Sequence, residues 1–305
     1  MEVVYTRDVN IIMHSYLRTV GFGGPDCNTN VRYLLDKIIK EDESINNSVK
    51  HEGESVEIFK HFSPNMGITF HGEFVNNNKF YCDFYYPFAL PIKYIHYDEI
   101  VIEKNVMNMS FYASCEDSRL GFSVIFFIQN GLDYINFDNN RGISRLSAKV
   151  GLVAMSLSGK ILMPVKKNNS YTSMSDDLRR YRGEVLREAK KGNQEAIDAM
   201  ALEEMNEYNQ ICKRVMKEDI LTIVESSIMP YGIECDKYQV IGEIRDIVED
   251  KNGISDEKVI EMLIDCNDIS ITVFINKKDL MGVPKIGRRF KGVVWLQGRI
   301  DFETV

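Results

Sequence analysis

The spacing of apolar residues changes from helical to alternating near residue 54. Before that point, Asn28–Asn30 offers a good helix N-cap, and the apolar residues after it follow a helical repeat. They recur at positions i, i+3, i+4, i+7 and i+8, which form one stripe along a helix: Val31, Leu34, Leu35, Ile38 and Ile39. A shorter helix around residues 12–20 is predicted to end at Gly21, because glycine tolerates the left-handed conformation that ends helices.

Between residue 54 and about residue 170, apolar and polar residues alternate and β-forming residues dominate. This pattern predicts strands or strand pairs within 55–62, 67–75, 79–90, 99–104, 109–114, 121–130 and 148–165. Asn76–Asn78 is predicted to form a hairpin turn between two of them. Because so many strands follow one another with short polar turns, we expect a largely antiparallel sheet packed against helices, an α+β domain over residues 1–172.

The middle of the chain carries the clearest helical signals. A helix is predicted from Ser175 to Lys190–Gly192, with acidic residues in its first turn and lysines in its last, as the helix dipole favours. A second helix is predicted to begin at Asn193 and to end at Met229–Gly232. Neither glycine nor proline interrupts this second helix. The pattern therefore predicts a structured helical connector over residues 173–235.

The C-terminal part returns to alternating patterns. Four strong strand signals are separated by a polar loop at Asn252–Gly253 and by a bridge at residues 277–284. Gly242 lies within the first of these strands, at a position that suits a bend in a small barrel. The number and spacing of strands predict a small OB-like β-barrel over residues 236–305. An SH3-like barrel or an open meander would give nearly the same sequence pattern. The sequence contains no recognisable internal repeat.

Composition and charge narrow the range of functions. The 305 residues include 44% hydrophobic and 27% charged residues, which is typical of a folded globular protein. The net charge of −8 repels phosphate backbones and anionic membranes, so nucleic-acid binding would need a local basic patch. Polar residues interrupt the N-terminal apolar segment, and six cysteines are scattered without a CxxC pair. We therefore expect a cytoplasmic protein with free thiols that does not bind membranes.

The stretch GRRFKGVVWLQGRIDF, residues 287–302, contains the single Trp of the chain and a dense run of positive charge. Strand alternation predicts that Trp295, Lys291 and Arg299 point away from the barrel interior. The interior face is predicted to hold Val294, Leu296, Gly298, Ile300 and Phe302. A base could stack on the indole between cations, which makes a candidate nucleic-acid site of Arg288, Arg289, Lys291, Trp295, Arg299 and Phe274.

A structural role for Trp295 is the alternative, in which the helical connector covers the outer face of the barrel and the indole anchors one domain to the other, or in which the indole contacts a partner protein. Residues 236–305 contain 11 Lys and Arg against 13 Asp and Glu, a net charge of −2. Nucleic-acid modules are usually strongly basic, so this balance favours packing or protein contact.

Neither a catalytic motif nor a metal-binding motif is recognisable. His61 and His71 with Cys82 come nearest to a ligand set, but they lack the compact spacing of metal sites, so we expect no metal site and no cofactor. Whether the protein is an enzyme stays open. A cleft between domains that holds a carboxylate with a strongly shifted pKa would favour an enzyme, as would a ligand beside the aromatic strand at residues 80–88.

Four separated segments resemble a bacterial protein family that is known as a domain of unknown function and occurs in anaerobic Gram-positive bacteria. They are MHSYLRTVGF from Met13, GKILMPVKK, MPYGIECDKYQVIGEI and GRRFKGVVWLQGRIDF. The resemblance covers the chain from about Met13 to Phe302, and members of this family normally start at the MHS motif. It implies a bacterial cytoplasmic protein with a housekeeping or regulatory role, but it supplies no activity, cofactor or catalytic residue that can be transferred to this chain.

The sequence therefore predicts a non-catalytic cytoplasmic binding protein that acts through protein–protein contacts. The alternative is binding of single-stranded nucleic acid through the C-terminal barrel. The two alternatives differ in their response to salt, because phosphate contacts release counterions. The oligomeric state is left open.

Overall fold

The computed structural model describes residues 2–5, 15–22, 31, 33–34, 55–75, 79–105, 110–117, 122–138, 145–165, 183–189, 191–202, 205 and 220–302. The chain divides into two compact units, residues 1–162 with 226–305, and residues 163–225. Strands form most of the first unit, together with a few helices. The fold is therefore mainly β within the predicted α+β class.

Four strands form a first sheet, sheet A. It contains β1 (Glu2–Tyr5), β2 (Ser55–Ser63), β3 (Met66–Val75) and β4 (Lys79–Ala89), in the order β1-β4-β3-β2. The strands β2, β3 and β4 pair antiparallel, and β1 adds to β4 in parallel. The first three predicted strands are confirmed, whereas the predicted turn at Asn76–Asn78 lies outside the described residues.

A larger sheet, sheet B, contains ten strands. The first four are β5 (Ile95–Lys104), β6 (Phe111–Asp117), β7 (Phe122–Ile128) and β8 (Arg145–Leu162), with helix α1 (Gly131–Asp138) between β7 and β8. The later strands are β9 (Ser227–Pro230), β10 (Lys237–Lys251), β11 (Lys258–Cys266), β12 (Ile269–Asn276), β13 (Leu280–Met281) and β14 (Arg289–Asp301). A short 3-10 helix, η2 (Lys277–Asp279), lies between β12 and β13.

Sheet B closes into two rings that share strands β8 and β14. The first ring has the order β5-β6-β7-β14-β8, and the second has the order β10-β11-β12-β8-β14. In each ring, three strands form an antiparallel meander. The third strand of each meander pairs in parallel with one shared strand: β7 with β14, and β12 with β8. The first strand of each meander pairs antiparallel with the other shared strand: β5 with β8, and β10 with β14. The two rings therefore have the same strand order and directions.

The predicted C-terminal barrel supplies four of the five strands of the second ring. β10, β11, β12 and β14 lie within residues 236–305, and β8 comes from before residue 172. A closed ring is therefore present, but a strand from the N-terminal part of the chain completes it. The OB-like character of this ring and the predicted domain boundaries stay predictions.

Each face of the shared strands lies in a different hydrophobic core. The first core lies among the strands of the two rings and includes Val294, Leu296 and Ile300 of β14. This membership confirms the interior face predicted from strand alternation. The second core lies between sheet A and sheet B and includes Trp295 of β14 and Phe274 of β12. Sheet B therefore has buried apolar residues on both faces where the shared strands run.

The predicted short N-terminal helix is a 3-10 helix, η1 (Tyr16–Val20), whose Leu17 and Val20 belong to the second core. It ends at Gly21, which adopts φ 75° as the sequence predicts. The next predicted helix is described at three positions, residues 31, 33 and 34, which are helical.

The described residues of the second unit include helical segments at 183–189, 194–202 and Ile220–Ile223, whereas residues 163–165 and 224–225 belong to neither a helix nor a strand. Residues 183–189 form a helix that ends at Gly192, with φ 86°, and the Gly192 N–H donates to the carbonyl of Ala189 at 2.9 Å. The next helix begins after Asn193, whose side chain accepts a hydrogen bond from the Glu195 N–H at 3.1 Å. These two boundaries match the prediction, and the predicted start at Ser175 lies outside the described residues. The predicted helix end at Met229–Gly232 is wrong, because residues 224–226 are not helical and Ser227–Pro230 forms β9. None of the helices described in the chain is long and apolar enough to cross a membrane.

Candidate functional site

Trp295 lies on the face of β14 opposite the ring interior and is buried, with 4% of its surface exposed. Its ring centroid lies 5.1 Å from that of Tyr16 and 5.3 Å from that of Phe127. Its Nε1 donates a 2.6 Å hydrogen bond to Oδ2 of Asp236. Burial raises the pKa of Asp236, and the hydrogen bond from Trp295 opposes this rise. The indole therefore packs inside the protein, where a base has no access to its face.

Three of the six predicted site residues are buried in the structure, and the other three are half-buried. Trp295 and Phe274 belong to the second core, where Phe274 is fully buried. Arg289 is also buried, and three of the cations are half-buried: Arg288, Lys291 and Arg299. The rings that pack on Trp295 belong to Tyr16 of the N-terminal 3-10 helix and Phe127 of β7, which are long-range contacts that sequence periodicity does not reveal.

A loop of the second ring exposes three apolar side chains, and we call its residues 281–286 the apolar tip. The exposed fractions are 65% for Met281, 61% for Val283 and 69% for Ile286. The loop connects β13 to β14 and lies just before the basic stretch that the sequence analysis singled out. Its apolar residues follow no strand or helix period, so periodicity gives no sign of them.

Hydrogen bonds fix both ends of the apolar tip. Before it, β13 pairs in parallel with β8. After it, the Gly287 N–H donates to the carbonyl of Ile244 at 2.9 Å, and the Ile244 N–H donates to the carbonyl of Arg288 at 2.8 Å. The Arg288 guanidinium also donates from Nη1 to the carbonyl of Val283 at 3.0 Å. Gly282 and Gly287 adopt φ of 94° and 81°, which glycine accepts without strain. The tip is therefore held in a defined conformation.

Positive charge surrounds the apolar tip. Residues 280–291 contain four Lys and Arg and no acidic residue. Lys285 within the tip is exposed, and Lys160 of β8 is exposed opposite Met281 of β13. The tip therefore combines an apolar surface with a cationic border, on a chain whose net charge is −8.

A second group of polar side chains lies where sheet A packs on sheet B. The strand register places Glu57 opposite His71 and Thr69 opposite Tyr86, so these four side chains share one face of sheet A. The Tyr86 ring packs on Phe127 of β7, with ring centroids 4.8 Å apart. This face of sheet A is therefore the one that meets sheet B.

Sheet B provides amide side chains to the same place. The Tyr86 hydroxyl donates to the carbonyl of Gln129 at 2.8 Å. The Gln129 side-chain amide donates to Oε1 of Gln297 at 2.6 Å, and Gln297 donates to the carbonyl of Pro87 at 3.0 Å. Arg299 lies two residues beyond Gln297 on the same face of β14. We define the polar cluster as Glu57, Thr69, His71, Tyr86, Gln129, Asp133, Gln297 and Arg299.

Burial keeps Glu57, His71 and Tyr86 of the polar cluster uncharged at neutral pH. Burial and then the charge of Asp133 raise the pKa of Glu57 to about 8, against the effect of Arg299. Burial lowers the pKa of His71 to about 4. Burial, followed by the charge of Glu57, raises the pKa of Tyr86 well above its usual value. The alternating pattern of β2 gives no sign of the raised pKa of Glu57, because its main cause is burial in the folded protein and its second cause is the charge of Asp133 in α1.

Metal and thiol chemistry receive no support from the part of the chain that the structure describes. It contains no group of three or more His, Cys, Asp or Glu residues placed to hold a metal ion. Burial raises the pKa of the Cys82 and Cys266 thiols to about 12, which keeps them protonated and unreactive. The candidate surfaces are therefore the apolar tip and the polar cluster.

Comparison with known proteins identifies the family. Searches of curated proteins and of solved structures gave no match. The profile of one family matches residues 17–298, which include strands β2 to β13, most of β14 and the helical unit. It is described as "Domain of unknown function, E. rectale Gene description (DUF3881)", in agreement with the resemblance found in the sequence. The chain belongs to this family of unknown function.

Proposed function

We propose that the protein is a non-catalytic binding protein and that the apolar tip is the surface with which it contacts a partner protein. The observation that carries this proposal is the exposure of Met281, Val283 and Ile286 on a loop fixed at both ends. Adjacent apolar side chains exposed on a folded surface are typical of interaction sites. A loop that already has a defined conformation loses little conformational entropy when it binds. The proposal includes the cytoplasmic location that the sequence predicts.

The chemistry of the tip defines the partner. We expect a folded protein with an apolar pocket for the Met281, Val283 and Ile286 side chains and with acidic residues around that pocket. The acidic residues would face Lys285 and Lys160, which are exposed beside the tip. Such complementary charges at the border of an interface mainly increase the rate of association. The apolar centre would provide most of the affinity.

Site-specific cross-linking tests the proposal. A photo-reactive residue in place of Val283 would capture the partner from an extract of cells that express the protein, and the captured protein would then be purified. We expect Ile286→Asp to weaken its binding about 30-fold, the effect of losing about 2 kcal/mol at the centre of an interface. Calorimetry with the purified pair measures this change.

A matched control is Ile254→Asp, since Ile254 is also an apolar loop residue and is 48% exposed. It lies in the loop between β10 and β11, outside the apolar tip. We expect it to bind the partner like the wild type. Equal binding by wild type and Ile286→Asp would contradict a role for the tip.

A second proposal is binding of single-stranded nucleic acid by the second ring. A closed ring of five strands supports an OB-like barrel, a fold that binds oligonucleotides in many proteins. The half-buried cations Arg288 and Lys291 near this ring also support it. The burial of Trp295 and Phe274 opposes it, because base stacking needs an accessible ring.

Fluorescence anisotropy with a labelled single-stranded oligonucleotide at low and high salt tests this second proposal. Each phosphate contact with a single strand contributes a slope of about 0.7 in a plot of log affinity against log salt. Binding at low salt that weakens with a slope of about 1.5 or more, as two or more contacts require, would support it. Absence of binding at low salt would remove it in favour of the protein partner.

A further inference from the structure

The cations that border the apolar tip lack an acidic partner within the described part of the chain. Lys160 of β8 and Lys291 of β14 are directly opposite each other in the strand register, so their side chains share one face of sheet B. Like charges in such a pair repel each other and destabilise the sheet. Among the described residues, no carboxylate lies within 4.0 Å of either lysine, of Lys285 or of Arg288. The border therefore carries positive charge that the fold does not balance.

The other basic side chains of the second ring are paired. Every lysine and arginine of β10, β11 and η2 lies within 4.0 Å of a carboxylate: Lys237 of Glu234, Arg245 of Glu243 and Asp265, Lys251 of Asp256, Lys258 and Lys277 of Glu249, and Lys278 of Glu257. The unpaired cations are thus concentrated around the apolar tip. This concentration favours an acidic surface as the partner of the tip.

The second unit presents the opposite charge. Residues 193–210 contain five acidic residues and no basic residue. Within this segment, residues 194–202 and 205 are helical, and we call them the acidic helix. Glu195 and Asp198 of the acidic helix are exposed, and among the described residues no basic side chain lies within 4.0 Å of either carboxylate. The acidic helix therefore carries negative charge without a counter-charge.

The acidic helix also exposes apolar side chains on one side. The exposed fractions are 39% for Ile197, 62% for Leu202 and 61% for Met205. Their spacing places these three side chains on one side of a helix. Ala196 and Met200, which are four residues apart and half-buried, lie on the other side. The acidic helix therefore has an exposed side that combines apolar and acidic side chains, as an interaction surface does.

The apolar tip and the acidic helix complement each other. Each exposes three apolar side chains, and the unpaired charges beside them have opposite signs. Side chains on a helix form ridges with grooves between them, and such a groove can receive the apolar side chains of a loop. Each copy has a net charge of −8, which opposes association at long range. At physiological salt this repulsion is screened beyond about 8 Å, whereas adjacent opposite charges still attract each other.

We propose that the acidic helix of a second copy of this chain binds the apolar tip, so that copies of the protein associate with each other. The contact rests on the proposed function, because the acidic helix is then the partner surface that the tip binds. It joins two different surfaces of the chain, so each copy provides a tip for one contact and an acidic helix for another. Two copies close into a dimer if they exchange both contacts, and otherwise further copies add.

Sedimentation velocity of the purified full chain at physiological salt, from about 1 to about 100 μM, tests the association. We expect the sedimentation coefficient to rise with concentration. A photo-reactive residue in place of Val283 should also cross-link the purified protein to a second, isotope-labelled copy. Mass spectrometry of this product should place the cross-link within residues 194–205, because the label separates contacts between copies from contacts within one copy.

Two variants locate the contact. Ile286→Asp changes the apolar tip and Leu202→Asp changes the acidic helix, and each should raise the Kd of self-association at least about tenfold. The two side chains are 69% and 62% exposed, so neither change puts folding at risk. The matched control is Ile254→Asp, which changes an exposed apolar residue outside both surfaces. It should associate like the wild type.

A mixture of the two variants separates this contact from any other. The intact tip of Leu202→Asp can bind the intact acidic helix of Ile286→Asp. We therefore expect the mixture to form a pair at concentrations at which each variant alone is monomeric. A contact between identical surfaces of two copies predicts no such recovery.

Three results would overturn the association of copies. They are a wild-type chain that is monomeric at about 100 μM, a cross-link from position 283 that falls outside residues 194–205 of the second copy, and a mixture of variants that forms no pair. With any of these results, a different captured protein that Ile286→Asp binds more weakly would leave the proposed function intact. Absence of both self-association and a captured protein would contradict the proposed function as well.

Discussion

The two rings of sheet B have the same strand order, but the segments that enter their shared strands differ. In the first ring, α1 leads into β8, and in the second, η2, β13 and the apolar tip lead into β14. Tyr134 of α1 is 7% exposed and packs on Phe111 and Phe302, with ring centroids at 5.3 and 6.1 Å. The apolar residues of the tip are instead more than half exposed.

The segments before β8 and before β14 occupy equivalent positions in the two rings, but their apolar residues have different roles. Helix α1 packs on the first ring through Tyr134, which therefore stabilises the fold. The connector of the second ring is fixed by backbone hydrogen bonds and by Arg288, and its apolar side chains face solvent. The tip therefore contributes apolar surface that the fold does not need.

The largest effect on stability is expected from Tyr134→Ala in α1. Removal of a buried aromatic side chain leaves a cavity and costs about 3 kcal/mol of unfolding free energy. Urea unfolding monitored by circular dichroism measures the loss. A change below about 0.5 kcal/mol, the usual range for surface sites, would show that α1 does not stabilise its ring.

A smaller loss is expected from Trp295→Phe on the shared strand β14. The phenyl ring preserves most of the packing on Tyr16 and Phe127, but Asp236 loses the hydrogen bond from Nε1. A buried acceptor that loses its donor costs about 1–3 kcal/mol. Urea unfolding checks the value, and the double variant Trp295→Phe with Asp236→Leu should recover part of the loss. No recovery in the double variant would contradict the importance of this hydrogen bond.

The two segments also differ in charge, because α1 contains Asp133 whereas the apolar tip contains no acidic residue. The effect of this charge can be tested through the pKa of Glu57. The pKa of Glu57 is raised to about 8, so its contribution to stability is complete below its unfolded pKa, near 4.5. That contribution is lost as the pH rises through about 8. Glu57→Gln should therefore reduce the fall in unfolding free energy between pH 5 and pH 8. Chemical denaturation at several pH values in this range measures the unfolding free energy of both proteins. If it falls with pH as steeply in Glu57→Gln as in the wild type, the pKa of Glu57 is not raised by burial.

Asp133→Asn refines the same test. The negative charge of Asp133 raises the pKa of Glu57, so its removal should lower that pKa. Titration of the Glu57 side chain by NMR measures the change directly. A Glu57 pKa that does not respond would show that α1 has no electrostatic effect on the polar cluster.

The smallest effect on stability is expected from the apolar tip itself. Met281→Ser, Val283→Ser and Ile286→Ser change exposed side chains, each within about 0.5 kcal/mol of the wild type. Urea unfolding of the single variants measures these changes. A loss of about 3 kcal/mol in any of them would mean that the tip is part of the core, like α1.

Sequence reasoning predicted local features better than long-range pairings. The alternation around Trp295 predicted the interior face of β14, and Gly21, Gly192 and Asn193 were predicted correctly as helix boundaries. The same reasoning could not reveal that β8 pairs in parallel with β12, since parallel pairing of distant segments has no local signature. The sequence also could not show that the two rings have the same strand order, because the two halves do not repeat in sequence.

The candidate sites were less predictable for a related reason. The cations of residues 288–299 stand out in the sequence, but Tyr16 and Phe127 pack on Trp295, which should have completed their site. In the sequence, Glu57 is one polar position of an alternating strand. Its raised pKa comes from burial and from the charge of Asp133 in α1, which only the folded chain brings together. The tip is a short loop with three apolar residues, and exposure is a property of the folded chain. Patterns along the chain indicate secondary structure, whereas these sites depend on which strands meet.

The central claim is that the apolar tip serves contact and not folding. It is tested most directly by measuring partner affinity and unfolding free energy on one protein, the triple variant Met281→Ser, Val283→Ser, Ile286→Ser. We predict that affinity for the cross-linked partner falls more than tenfold while the unfolding free energy stays within about 1.5 kcal/mol of the wild type. Unchanged affinity, or an unfolding free energy lowered as much as in Tyr134→Ala, would contradict the claim.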